Sequence, residues 1–373
     1  MKSLLVLSAI LFLTACTSGS NSDPGSGDSS LRLERQVFEA LADSSGRASF
    51  TFSLPTLSAS FQLAASSGSL IALSGPQGDL LNRSALLSSF QLGTVSNLNY
   101  YSPTGVSTGS YNASYSASAG TPVTLQVSSK RDDSLASGTL KLNLVLLGPV
   151  GGSQDILDAL DKALEAERIT FGRVGIALDT VITNFDGPSI APPPGDPLYQ
   201  SIVEAQRPAS ITVVIASDKQ GSSTDQYKYG TIGSTPFPVV PNANSVIIIS
   251  IDDVTGGDGI FNGSVGGNNP NDDQYRILGE EIGRFTSQAL GLPNIVEIKG
   301  SNTSSSDNLS DTPSCLSKQS CQKDSESRSN LMYPQPLPKT SDDQDTGKGN
   351  LYYPRDQLTS QQGQVLNNSV FVD

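Results

Sequence analysis

Histidine is absent from this chain of 373 residues. Imidazole is the usual general base beside serine and cysteine nucleophiles, and it is the commonest side-chain ligand of protein-bound metals. Its absence therefore excludes Ser-His-Asp and Cys-His nucleophiles, imidazole acid–base catalysis and histidine-bound metal ions. Every mechanism that relies on histidine is ruled out before any motif is considered.

Charged side chains are also scarce, and the two signs are unequal. They make up 16% of the chain, and 36 acidic residues against 23 basic ones give a net charge of −13. Because the sequence has no basic clusters interleaved with aromatic residues, we expect no nucleic-acid partner. Hydrophobic residues make up 36% of the chain, which is enough for ordinary cores and excludes global disorder.

The apolar run at the N-terminus, residues 4–13, is shorter than the roughly 20 residues of a membrane-spanning helix. It follows Met1-Lys2 and leads into Leu13-Thr14-Ala15-Cys16, an arrangement typical of a signal peptide. The four residues ending at Cys16 resemble a bacterial lipobox, whose cysteine is acylated and becomes the mature N-terminus. An ordinary secretory signal with an incidental cysteine is the alternative. We predict a lipoprotein signal peptide over residues 1–15 and lipidation at Cys16.

Residues 16–30 are predicted to form a lipidated, flexible tether. The stretch is rich in serine and glycine, a composition with an r.m.s. reach of roughly 20 Å. Thr17 stands directly after the cysteine instead of aspartate, which is similar to outer-membrane sorting in Gram-negative bacteria. The membrane is therefore an expected partner, through the lipid. We expect the chain in the bacterial cell envelope, at the outer membrane or cell surface.

With Cys16 assigned to lipid, two of the three cysteines remain. An even remainder in an oxidising compartment predicts one short-loop disulfide, Cys315–Cys321. Two free thiols are the alternative.

Residues 31–135 are predicted to form a small, all-β sandwich-like domain. Apolar and polar residues alternate in short stretches that glycine, proline, asparagine and serine interrupt, as around Phe50 and Phe52. Tyr111 and Tyr115 are interpreted as partly buried strand residues. An exposed face that binds carbohydrate or protein is the alternative.

Residues 136–373 show a different pattern and are predicted to form an α/β (α+β) domain on a mixed, twisted sheet. Nearly continuous apolar runs predict strands that are covered on both faces. The predicted elements are strands near 140–146, 176–185, 211–216 and 246–251, and helices after Ser153 and over 272–290.

The helix over 272–290 contains Glu280-Glu281-Ile282-Gly283-Arg284 and is followed by Gly291-Leu292-Pro293-Asn294, Asp311-Thr312-Pro313 and Met332-Tyr333-Pro334. In this order the segments resemble the metzincin metallopeptidases, closest to the pappalysin/cytophagalysin-type branch, over roughly residues 140–373. In those enzymes a helix carries H-E-x-x-H, a third histidine follows a glycine turn, and a methionine turn lies beneath the zinc.

The resemblance assigns a role to five positions of this chain. They are the first ligand position, Glu280; the general-base position, Glu281; the second ligand position, Arg284; the third ligand position, Asn294; and the methionine turn, Met332. All three ligand histidines are thus replaced, while the glutamate base remains. Nine residues separate Arg284 from Asn294, against about five in the motif.

Arg284 cannot bind a metal, because its guanidinium stays protonated and has no acceptor atom. We therefore expect no zinc, and Glu281 has no metal-bound water to activate. One hypothesis is that Glu280 and Arg284, at i and i+4, form an ion pair in place of the metal. The alternative is that both are solvated helix charges.

A weaker candidate for a cation is calcium. Asp252, Asp253 and Asp258 border a glycine-rich stretch over 256–267, and carboxylate oxygens suit Ca²⁺. A solvated acidic loop is the alternative.

The sequence therefore predicts an exported pseudopeptidase, a non-catalytic chain that binds a peptide or protein. The alternative from the enzyme class is an active hydrolase or metallopeptidase with a metal site that lacks histidine. A purely structural envelope protein is the third interpretation.

Overall fold

The computed structural model describes residues 33–56, 58–80, 97–101, 106–131, 137–193, 196–204, 210–219, 230–232, 246–255, 271–299, 301–305, 309–337, 352–369 and 371–372. The predicted signal peptide, the tether with Cys16, and the calcium candidate Asp258 lie outside this part of the chain. The predicted boundary between the two domains also falls outside it, within residues 132–136.

Strands account for most of the regular structure. They are β1 (Leu33–Leu41), β2 (Arg47–Leu54), β3 (Ser58–Ala65), β4 (Ser69–Gly75), β5 (Gly78–Asp79), β6 (Asn97–Tyr101), β7 (Gly109–Ser116), β8 (Pro122–Arg131), β9 (Gly138–Leu147), β10 (Ile176–Phe185), β11 (Ile190–Ala191), β12 (Ile211–Ala216), β13 (Asp218–Lys219), β14 (Gly230–Ile232), β15 (Ile247–Ser250), β16 (Val296–Lys299) and β17 (Asn302–Ser305). The helices are α1 (Gln154–Gly172), α2 (Pro197–Glu204), α3 (Ile251–Thr255), α4 (Asn271–Ala289), α5 (Lys318–Lys323), α6 (Ser325–Ser329) and α7 (Ser360–Asn367).

The first part of the chain forms two four-stranded sheets, β1-β8-β3-β6 and β2-β7-β4-β5, whose paired strands are antiparallel. Along β2 buried and exposed residues alternate without exception, because successive side chains of a strand point to opposite faces. Aromatic rings fill the core, with the ring of Phe52 lying 5.8 Å from that of Phe61 and 5.5 Å from that of Tyr111. Tyr111 and Tyr115 are strand residues, as predicted, but they are fully buried and not partly buried.

The second part is built on a five-stranded sheet of order β10-β9-β12-β15-β14. The first four strands are parallel, and β14 is antiparallel to β15, so the sheet is mixed, as predicted. Every residue of β12 is buried, because α1 and α4 contribute to the core on one face of the sheet and α2 contributes to a second core on the other. The α+β architecture that the sequence predicts is confirmed.

Helices α1 and α4 approach each other closely at two glycines of α4. A Cβ atom at Gly279 would lie 2.7 Å from the carbonyl oxygen of Ala163, which no real side chain tolerates. A Cβ atom at Gly283 would overlap the carboxyl group of Glu167. Both glycines, one helical turn apart, therefore let α4 lie directly against α1.

The end of α4 fixes the direction of the chain that follows. Gly291 adopts a φ of 104°, a conformation that favours glycine, and the amide of Leu292 donates to the carbonyl of Ser287 at 3.0 Å. This turn brings Asn294 back beside the helix. The amide of Ile295 then donates to the carbonyl of Met332 at 3.0 Å, which joins the turn to the buried Met332 segment.

A lysine of the first part joins the two parts of the chain. The ammonium of Lys130, which is only 2% exposed, donates to the backbone carbonyls of Asn367, Ser369 and Val372. These carbonyls belong to the last residue of α7 and to residues just after it, where the partial negative charge of a helix is concentrated. Within the described residues no helix is long and apolar enough to cross a bilayer.

Candidate functional site

The residues that the resemblance assigns to the metal site lie in the protein interior. Arg284 and Glu281 are fully buried, and Glu280 is 3% exposed. Because their side chains are shielded from solvent, the interpretation of Glu280 and Arg284 as solvated helix charges is wrong. Charges are buried in this way when opposite charges and hydrogen bonds compensate them.

The predicted pairing of Glu280 with Arg284 needs correction. Arg284 pairs with Glu281 at i and i+3, donating to Oε2 from Nε at 3.0 Å and from Nη2 at 2.6 Å. Glu280 accepts instead from Arg276, one turn earlier on the helix, and from Arg355. The i,i+4 rule describes exposed pairs on an isolated helix, and here a residue from outside the helix decides the partners.

Arg355 is the residue that sequence reasoning missed. Its guanidinium is fully buried and donates to Glu280 Oε2 at 3.0 Å, to Glu281 Oε1 at 2.6 Å and to the carbonyl of Tyr333 at 2.7 Å. Its backbone amide also donates to Glu280 Oε1 at 2.9 Å. Arg355 therefore links the motif helix to the segment after Met332. The local sequence around it carries no motif, and the only signal was the need for cations beside two buried carboxylates.

Asn294, the third ligand position, lies at the edge of the same cluster. Its Oδ1 accepts from Gln288 Nε2 at 2.7 Å and from Arg284 Nη1 at 3.4 Å. Met332 is fully buried, and its amide donates to Asn330 Oδ1 at 2.9 Å. The structure thus brings Glu280, Glu281, Arg284 and Asn294 into one connected network. We call these four residues, with Arg276 and Arg355, the arginine–glutamate network.

The electrostatics of the network keep Glu281 ionised. Burial alone would raise the pKa of this carboxyl, but the positive charges of Arg284 and Arg355 and their hydrogen bonds outweigh burial and lower its pKa below 4.5. Attraction from Glu281 and Glu280 likewise raises the pKa of Arg355 against the effect of burial. Both oxygens of Glu281 accept charge-assisted bonds, which leaves this carboxylate poorly suited to take a proton from water.

The residues of the network do not fit a zinc ion. Their two glutamates are already bound by guanidinium groups, and guanidinium offers no lone pair to a metal. Two fixed positive charges, on Arg284 and Arg355, lie directly beside these carboxylates and would repel a divalent cation. Over the described ranges, no three acidic or cysteine side chains come together in a way that could hold a metal ion.

The calcium candidates Asp252 and Asp253 lie in the first turn of α3, directly after β15. The amide of Asp252 donates to the carbonyl of Ser217 at 2.9 Å, and that of Asp253 donates to the hydroxyl of Ser250 at 3.1 Å. Both residues thus have a structural position at a strand–helix junction. Asp258, the third member of the predicted set, is outside the described residues.

The predicted disulfide between Cys315 and Cys321 is present, with Cα atoms 5.3 Å apart. It closes a short loop at the start of α5, where Ser317 and Ser320 form a reciprocal capping box. Cys321 is fully buried, so the bond attaches α5 to the core of the second part.

No protein-family model matches this chain, and no curated protein sequence matches it. Among solved structures, metalloproteinase-II from Bacteroides fragilis overlaps 65% of this chain and 62% of its own, with 9% identity and a TM-score of 0.33. The salicylyl-acyltransferase SsfX3 from a tetracycline biosynthetic pathway overlaps 54% of this chain and 63% of its own, with 13% identity and a TM-score of 0.13. The chain spans less than two thirds of either protein. The first overlap is a distant likeness to a metallopeptidase, and at this TM-score it assigns no fold, family or activity.

Proposed function

We propose that this chain is a non-catalytic, metzincin-like binding protein of the bacterial cell envelope. The observation that carries the proposal is the state of Glu281. The residue at the general-base position is buried, ionised and bound through both oxygens to Arg284 and Arg355. A general base must reach the proton that it abstracts, and this carboxylate has no free oxygen to do so.

The network also takes over the structural task of a bound cation. Arg355 contacts both glutamates of the motif helix and the carbonyl of Tyr333, next to Met332. A cation at this place would hold the same elements together. In the proposed metzincin-like scaffold, these contacts would stabilise the site in place of a metal.

Peptide binding is supported by the end of the five-stranded sheet. Strand β14 is the last in the sheet order, and within the described part of the chain it pairs only with β15. The unpaired side of an edge strand presents backbone amides and carbonyls to which an extended peptide can add as a further strand, and this is the binding mode proposed for β14. The ligand class we propose is an unfolded or extended peptide segment.

The N-terminal lipid completes the proposal. Acylation at Cys16 would attach the chain to the envelope, and residues 17–30 would hold the folded part away from the membrane. Labelling of the bacterially expressed full chain with a fatty acid tests this step. We expect a label that the Cys16→Ala variant lacks; an unlabelled wild-type chain would contradict it.

The functional test uses the full chain in detergent, with metal analysis, a casein-cleavage assay and a binding assay against an array of extended peptides. We expect no stoichiometric zinc, no cleavage and saturable binding to a subset of peptides. Stoichiometric zinc with chelator-sensitive cleavage would overturn the proposal, and no peptide binding would remove its ligand class. Glu281→Gln is assayed in parallel: cleavage that depends on Glu281 is lost in this variant, whereas cleavage that persists comes from another site or from a contaminating protease.

A further inference from the structure

One buried carboxyl group lies beside the arginine–glutamate network without being part of it. Glu167, on α1, is 2% exposed, and its Oε2 atom is buried without a hydrogen-bond partner among the described residues. A Cβ atom at Gly283 would lie 1.8 Å from this oxygen. The carboxyl group therefore lies directly against the backbone of α4 at Gly283, the residue before Arg284.

The charges around Glu167 come from two elements packed against α1. Glu280 and Glu281 of α4, and Arg355 and Asp356 of the C-terminal segment, are the charged groups close enough to act electrostatically on it. Three of these four groups are acidic, and the three arginines that contact the motif glutamates, Arg276, Arg284 and Arg355, are already bound to them. A negative charge on Glu167 would thus add a further carboxylate to a buried region with no donor for its Oε2 atom.

We propose that Glu167 is a proton-dependent contact between α1 and the motif helix α4, which packs tightly when its carboxyl is neutral and loosens when it ionises. Burial, followed by repulsion from Glu280, raises the pKa of Glu167 well above 4.5. The neutral form therefore persists at pH values at which exposed glutamates are ionised. This inference does not depend on whether the chain binds a peptide.

The sign of the pH effect follows from linkage. A carboxyl whose pKa is raised by folding binds its proton more tightly in the folded state, so the contribution to stability is complete in acid and is lost as the pH rises through the folded-state pKa. Glutamine mimics the neutral carboxyl at every pH. The Glu167→Gln variant should therefore match the wild type in acid and exceed it in stability as the pH rises.

The experiment compares urea unfolding of the full chain with that of Glu167→Gln from about pH 4 to about pH 9, a range that brackets ordinary and raised carboxyl pKa values. We expect the ratio of the two unfolding constants to grow by up to about tenfold per pH unit above the ordinary glutamate pKa. The control is Glu165→Gln, which changes an exposed glutamate two residues away on the same helix. This variant should keep the wild-type pH profile.

Two outcomes would overturn the inference. The first is a Glu167→Gln profile that runs parallel to the wild type. The second would be seen in the native chain, by ¹³C NMR of labelled glutamate carboxyl groups. The spectrum of Glu167→Gln assigns the Glu167 signal. A Glu167 carboxyl that titrates together with the exposed glutamates would exclude the proposed contact. If the variant fails to fold, hydrogen exchange of the native chain provides the test. We expect the exchange rates of the α4 amides near Gly283 to rise with pH more steeply than intrinsic exchange rates do. Exchange rates that rise only as the intrinsic rates do would overturn the inference.

Discussion

Glu281 and Arg355 lie 74 residues apart in the chain, and their side chains meet at 2.6 Å between Oε1 and Nη2. Neither residue has any exposed surface. The contact therefore connects the motif helix to a distant segment through a buried charge pair, and breaking it deprives two buried charges of one of their partners. Its energetic consequences can be measured one residue at a time.

Replacing Arg355 should be strongly destabilising. Arg355→Met keeps much of the side-chain volume but leaves Glu280 and Glu281 with fewer cations, and removal of one partner of a buried pair costs about 3–5 kcal/mol. Urea unfolding at neutral pH measures the loss. The control is Arg173→Met, because Arg173 pairs with Asp356 at the surface, where both side chains are more than 40% exposed. That exposed pair contributes within about 1 kcal/mol, so equal losses in the two variants would contradict a buried network.

Glu281 should make the chain sensitive to acid. Its pKa is lower in the folded state than its ordinary value of 4.5, so its contribution to stability is present above that value and is lost as the pH falls through the folded-state pKa. Wild type should therefore be more stable than Glu281→Gln at neutral pH, and the difference should shrink below about pH 4.5. Unfolding curves of both proteins across the acid range check this. A difference that stays constant with pH would mean that Glu281 does not titrate in this way.

The packing of α4 against α1 should require glycine at position 279, because a side chain there has no space. Alanine normally stabilises a helix interior by about 1 kcal/mol relative to glycine. At Gly279 the added Cβ would meet the carbonyl oxygen of Ala163 at 2.7 Å, so Gly279→Ala should instead lower the thermal midpoint. Gly172→Ala is the matched substitution, since nothing lies within 4 Å of a Cβ atom there. We expect Gly172→Ala to leave the thermal midpoint unchanged or to raise it slightly. A higher thermal midpoint for Gly279→Ala than for Gly172→Ala would exclude close packing of α1 and α4.

Lys130 should stabilise the junction between the first part of the chain and the end of α7. Lys130→Met removes the donor shared by the carbonyls of Asn367, Ser369 and Val372. Leaving such buried acceptors without their partner costs about 1–3 kcal/mol. Chemical unfolding measures this cost, with Lys323→Met, at an exposed position of α5, as the reference. A Lys130 variant as stable as this reference would show that the junction does not need the ammonium group.

Local patterns predicted much of the fold. The motif helix was expected over 272–290 and runs over Asn271–Ala289, because its apolar spacing and its glycine stop are contained within the segment itself. The mixed sheet and the Cys315–Cys321 disulfide were likewise predicted from short stretches of sequence. Predictions of this kind need only residues that are close together in the chain.

The chemistry of the site depended on distant residues, and there the sequence was insufficient. Arg355 lies 75 residues from Glu280, and no spacing rule connects the two. The partner of Arg284 was predicted one residue away from its true position, because Arg355 binds Glu280 and changes the balance of charges along the helix. The sequence does not single out Glu167 for the same reason. Its buried carboxyl differs from that of other glutamates only because α1 packs against Gly283 of α4.

The arginine–glutamate network also determines which changes the chain can accept one at a time. A metal site built from imidazole would need new side chains at Glu280, Arg284 and Asn294, and Arg355 would have to leave the same space. Replacing one glutamate or one arginine of the network alone removes part of a buried set of charge pairs, at a cost of up to about 3–5 kcal/mol, against a typical domain stability of about 5–15 kcal/mol. Each single step towards a histidine metal site would therefore cost a large fraction of a typical domain's stability. The network couples these positions, so that a change at one of them alters the charge balance at the others.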